Sequence, residues 1–133
     1  MQGGFQVPKD GVVAVRNTTR GTDLAGHLEV AHRLFARMKG LLGRRGLPPG
    51  HGLLIYPCNS VHALGMAFEI DVVHVSRDGH VLRVLTPLKR NTLGPLVRRS
   101  YYTLELPAGT VAATGTEVGD LLAFLTADRL QHG

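Results

Sequence analysis

The sequence predicts a mostly β (α+β) fold: a small antiparallel sheet curled towards a barrel, with one main helix at about residues 31–42. Three observations lead there. Apolar runs are short, rich in β-branched residues and repeatedly broken by Gly, Pro or Asp-Gly. Only one stretch carries the three-and-four spacing of a long amphipathic helix. The 133-residue chain fits one domain, which at that length buries roughly two-thirds of its unfolded surface.

Taken in order, Val12-Val13-Ala14-Val15 is a β-rich run ended by Asn17-Thr18-Thr19-Arg20-Gly21. Asp23 to Val30 alternates, with Leu24, Leu28 and Val30 on one side. From Ala31 the period changes: Leu34, Phe35, Met38, Leu41 and Leu42 share one helical face, and Gly40, Gly43, Gly46 and Pro48-Pro49-Gly50 end it. Gly52 to Tyr56 is a short strand stopped by Pro57. Ile70–Val75 and His80–Leu85 flank Asp78-Gly79, where glycine supplies the positive φ of a tight hairpin. Lys89 to Ser100 is polar and basic, the pattern of a long loop. Tyr101 to Leu106 is a strand ended by Pro107-Ala108-Gly109, Thr110 to Thr116 holds a helical turn, and Leu121 to Leu125 is the last strand. Glu117 and Asp120 read as surface turn residues.

Composition narrows the function classes. No run of about 18 apolar residues is present to span a bilayer. The opening MQGGFQVPKDG lacks the apolar segment of a secretory signal. A lone cysteine excludes an internal disulfide, so a cytoplasmic location is expected. The net charge is +5, with basic residues clustered at Arg37/Lys39/Arg44/Arg45, Lys89/Arg90 and Arg98/Arg99. Aromatics make up only 5% and do not alternate with these clusters, which favours a solvated basic surface over nucleic-acid binding.

The chemically richest stretch is Cys58 to Val75, CNSVHALGMAFEIDVVHV, which holds Cys58, Ser60, His62, Met66, Glu69 and Asp71. In a straight strand Cys58 and His62 stand about 13 Å apart, too far for a nucleophile pair or one shared metal. A bend at Gly65 would bring Met66 back towards His62, a soft N/S pairing suited to copper. Each group also has a structural explanation: Cys58 as a small buried hydrophobe, His62 as a core histidine, Met66 as packing and Asp71 as a turn cap. Glu105, between Leu104 and Leu106, either faces solvent or is a buried carboxylate with a partner such as Arg83 or His62. Phosphate loops, nucleophile elbows, H-E-x-x-H and paired-cysteine zinc spacings are all lacking, so no cofactor is identifiable.

Four segments occur in a telling order: KGLL (Lys39 to Leu42), C-x-S-x-H-x-x-x-M-x-F-x-I-D (Cys58 to Asp71), LELPAG (Leu104 to Gly109) and VGD (Val118 to Asp120). Over about residues 16–124 the chain thereby resembles the domain of unknown function 192 family. The resemblance implies a compact, mostly β domain with one helix, widespread in prokaryotes and without an established activity. Against that pattern, Ala63-Leu64-Gly65 stands where aromatics are common, His74 where Phe is usual, and Lys89-Arg90-Asn91 lacks a frequent Pro-Trp. A pocket lined by those positions is therefore wider or less apolar in this chain.

The leading expectation is a binding or accessory module, with a small molecule or protein partner held near Cys58, Ser60, His62, Met66, Asp71 and Glu105. Arg37, Lys39, Arg44, Arg45, Lys89 and Arg90 would form its basic rim. The alternatives are a hydrolase or thiol-dependent enzyme using Cys58 or His62, and a nucleic-acid-associated protein with one continuous basic face.

Overall fold

A computed structural model describes residues 11–31, 46–58, 68–89 and 92–127. Within them the chain forms β1 (Val12–Asn17), β2 (Thr22–Ala25), β3 (His27–Ala31), β4 (His51–Ile55), β5 (Ile70–Val75), β6 (Val81–Leu88), β7 (Tyr102–Pro107), the short helix α1 (Thr110–Thr114) and β8 (Leu122–Thr126). Strand positions follow the sequence pattern closely. The alternating run from Asp23 to Val30 divides into β2 and β3 at Gly26, where the chain leaves one sheet for the other. The expected main helix falls outside the described residues, except for Ala31, which ends β3.

The strands make two sheets rather than a barrel: β2-β1-β8, and a five-stranded sheet in the order β3-β4-β7-β5-β6. The larger sheet is mixed, because β3 and β4 run parallel while the other pairs are antiparallel. The parallel pair departs from the antiparallel sheet that the sequence predicts, and the reason is topological. β4 leads to β5 across the intervening β7, and β6 leads to β7 across β5, so these links are crossovers instead of hairpins.

Alternation then sorts the side chains. Val73, Val75, Leu54, Leu104 and Leu106 face the smaller sheet and join Val15, Leu24, Leu122 and Phe124 in the main core. Leu53, Ile55, Ile70 and Val72 face the other way and join Leu47, Cys58 and Leu88 in a second cluster. All six residues of β5 are buried, as expected of a strand covered on both faces. Gly52 shows how tight the main core is: a Cβ there would lie 2.9 Å from Leu106 Cδ2 and 3.2 Å from Leu28 Cδ1.

A polar clasp joins the two chain-distant strands of the smaller sheet. The buried Asp120 accepts from Arg20 Nε at 2.9 Å, from Asn17 Nδ2 at 2.9 Å and from the Glu117 amide at 3.0 Å. The Arg20 hydrogen bond, foremost, holds its carboxyl at about 2 against the ordinary 3.8. Asp120 is thus a structural ion-pair residue and not the surface turn residue the sequence suggested; Glu117 is exposed as expected.

Candidate functional site

The second face of the large sheet holds the described ends of three connections. β3, β4 and β5 share one direction, so the links β3–β4 and β4–β5 join parallel strands, as does β6–β7. Leu47, Cys58 and Phe68, at the ends of these links, pack in the second cluster, and Ser100 reaches the same face through His74.

Two rows of side chains occupy that face. Arg83, His74, Thr103 and Ile55 lie across neighbouring strands in one register, and Leu85, Val72, Glu105 and Leu53 in the next. His74 and Glu105 are diagonal neighbours, a relation that places Cα atoms about 7–8 Å apart. Cys58 sits at the end of the β4 segment, its amide donating to the Tyr101 carbonyl at 2.8 Å.

At the centre is the fully buried His74. Its Nδ1 lies 3.0 Å from Ser100 Oγ and 3.1 Å from Thr103 Oγ1. Both hydroxyls also reach the Cys58 carbonyl, Ser100 at 2.9 Å and Thr103 at 3.2 Å. Each hydroxyl has one proton, and with both protons directed at that carbonyl the oxygens accept from Nδ1–H. In that tautomer the proton is on Nδ1 and Nε2 carries the lone pair. Nε2 is buried and, among the described residues, has no hydrogen-bond partner. Burial, with the charge of Arg83 second, pushes the ring down from 6.5 to about 4, so the imidazole is neutral near pH 7. A neutral imidazole with a free, buried lone pair can accept a hydrogen bond from a ligand or coordinate a soft or borderline metal.

The sequence-derived candidates divide accordingly. Cys58 and Glu105 are buried on this face. Asp71 is buried but belongs to the opposite side of β5, where its Oδ2 accepts from the Gly109 and Val111 amides at 3.1 and 2.8 Å and caps α1. Its Oδ1 is buried without a partner among the described residues. Glu69 and Lys89 are exposed. Ser60, His62 and Met66, together with Arg37, Lys39, Arg44, Arg45 and Arg90, lie outside the described residues. Among the described residues no group of three or more His, Cys, Asp or Glu side chains is placed to hold a metal. His74, Ser100 and Thr103 were not among the sequence candidates. The available signal was parity: His74 shares its strand face with Ile70 and Val72, so a polar ring had to be buried.

Together these features define a two-sheet, mostly β fold with a buried polar histidine on one face of its larger sheet. The DUF192 family model, described as "Uncharacterized ACR", matches residues 15–124, and the chain belongs to that family. No curated protein matches. Two crystal structures share the fold. One, from Sinorhizobium meliloti 1021 and described as a "putative transcription regulator", has a TM-score of 0.72 at 23% identity, covering 88% of this chain and 98% of its own. The other, a protein of unknown function from Novosphingobium aromaticivorans DSM 12444, has a TM-score of 0.72 at 22% identity, covering 90% and 91%. Among the described residues no helix is long and apolar enough to cross a membrane.

Proposed function

We propose that this protein is a binding module that holds a small ligand on the His74 face of its large sheet, between Cys58, His74, Thr103 and Glu105. His62 and Met66, which follow Cys58 in sequence, are the candidates to complete the pocket, as are the basic residues Arg37 to Arg45 for its rim. Asp71 serves instead to hold the end of β7 and α1 against β5. The observation that carries this reading is the buried His74 Nε2, which has no partner among the described residues: a buried polar atom without a partner costs about 1–3 kcal/mol, which a ligand donor or metal would offset. The lone, buried cysteine fits a reducing cytoplasm as the place where the module works.

Native mass spectrometry of protein purified from its own host is the test, run beside the His74→Phe variant. Wild type is expected to retain a non-protein mass that His74→Phe has lost while keeping its fold by circular dichroism. Retention by both proteins would move the site away from His74, and a bare polypeptide mass for wild type would defeat the proposal.

A further inference from the structure

Outside that face, the β5–β6 hairpin and the turn before β7 form a second feature. Ser76, Arg77, Asp78, His80, Leu82 and Arg99 line an open cleft of about 540 Å³. The hairpin is firmly built: Gly79, at φ 93°, donates to the Ser76 carbonyl at 3.0 Å, and the His80 amide donates to Ser76 Oγ at 3.1 Å. Across the cleft, the Ser100 amide closes the Arg98-Arg99 turn on the Val97 carbonyl at 3.0 Å.

The charges in the cleft are unevenly matched. Arg16 pairs with Asp23, and Arg20 with Asp120 and Glu117, whereas Arg83 and Arg98 pair with no carboxylate of the described residues. Neither Arg77 nor Arg99 pairs with a carboxylate of the described residues. The one carboxylate in the cleft, Asp78, takes a short hydrogen bond from Ser76 Oγ and faces His80 Nδ1 at 3.4 Å. Arg77 is also restrained, its Cζ 4.5 Å from the centre of the Tyr101 ring. The ring contact does not consume the guanidinium's N–H donors, and that planar fork matches the oxygens of a phosphoryl group.

We propose that this cleft binds a phosphate group, with Arg77 and Arg99 gripping its oxygens. The ligand class is a small phosphomonoester. The same chemistry is offered by the backbone of a single-stranded nucleic acid, and the test separates the two. The site is distinct from the His74 face, and neither depends on the other.

Titration of the full chain with inorganic phosphate at constant ionic strength, followed by amide NMR shifts, reads the site directly. Saturable shifts confined to residues 76–80 and 98–101 are expected. Arg77→Ala with Arg99→Ala should weaken binding about tenfold or more, and Arg77→Lys by less, because lysine keeps the charge but not the fork. Arg16→Ala, which removes a charge elsewhere, should leave the affinity unchanged. A nucleoside 5′-monophosphate should bind at least as well as inorganic phosphate. Unsaturable shifts spread over the whole basic surface, or equal weakening by Arg16→Ala, would overturn the site. Binding of a single-stranded oligonucleotide with both small phosphates silent would overturn the small-ligand assignment.

Discussion

His74 sets the behaviour of the molecule at the residue scale. The unfolded chain takes up a proton on this ring near 6.5, whereas the folded chain resists it until about 4. Between these values the unfolded state binds more protons, so His74's contribution to stability is full above about 6.5 and is lost as the pH falls towards 4. Urea midpoints measured at pH 7 and near pH 4.5 should therefore differ, and the difference should shrink in His74→Phe. Phe is the residue that the family resemblance leads one to expect at this position, and the swap removes both the titration and the orphaned Nε2. Exposed side chains should matter far less. Leu93 and Leu96 are 70% and 66% exposed, and Leu→Ser at either should shift stability by no more than about 0.5 kcal/mol in chemical denaturation.

Two elements depend on single residues that the sequence marks differently. The first turn of α1 has no side-chain cap of its own; the Gly109 and Val111 amides donate instead to Asp71 on β5. Asp71→Ala should cost about 1–3 kcal/mol in thermal or urea unfolding, since two amides lose their acceptor. In β4, Gly52→Ala would push a methyl into Leu106 and Leu28, and a loss of about 1–3 kcal/mol is expected. Most of the strands were legible in advance: Ile70–Val75 and the Asp78-Gly79 hairpin stand where alternation and turn chemistry place them. Asp71 was visible as a group needing a partner, but that partner is a backbone segment nearly 40 residues away, which no local pattern reveals. For the same reason His74 passed unnoticed: its meaning comes from Ser100 and Thr103, brought alongside by the crossover into β7.

For the whole molecule, the strand order was the least legible property. Periodicity shows which residues face a core, yet it is silent on whether β4 continues into a hairpin or into a crossover. The mostly β fold is therefore as the sequence predicts, while the strands divide into two sheets, not closed into a barrel, with a parallel β3–β4 pair. Global stability should show a second acid transition, separate from that of His74. The Asp120 carboxyl is lowered to about 2 in the folded state, so its contribution is present above about 3.8 and is lost as the pH falls through about 2. Asp120→Asn should remove that low-pH loss and destabilise the protein at neutral pH by about 1–3 kcal/mol, as denaturation across pH 2–7 would show.

The same clasp fixes an order of events during folding. Asn17 and Asp120 are 103 residues apart in sequence, and β1 finds its partner β8 only across that distance. On a ribosome, the inner surface of the smaller sheet stays unpaired along one edge until nearly the last strand has emerged. An edge strand that waits so long is a template for intermolecular pairing, so the nascent chain is most exposed to aggregation in this interval.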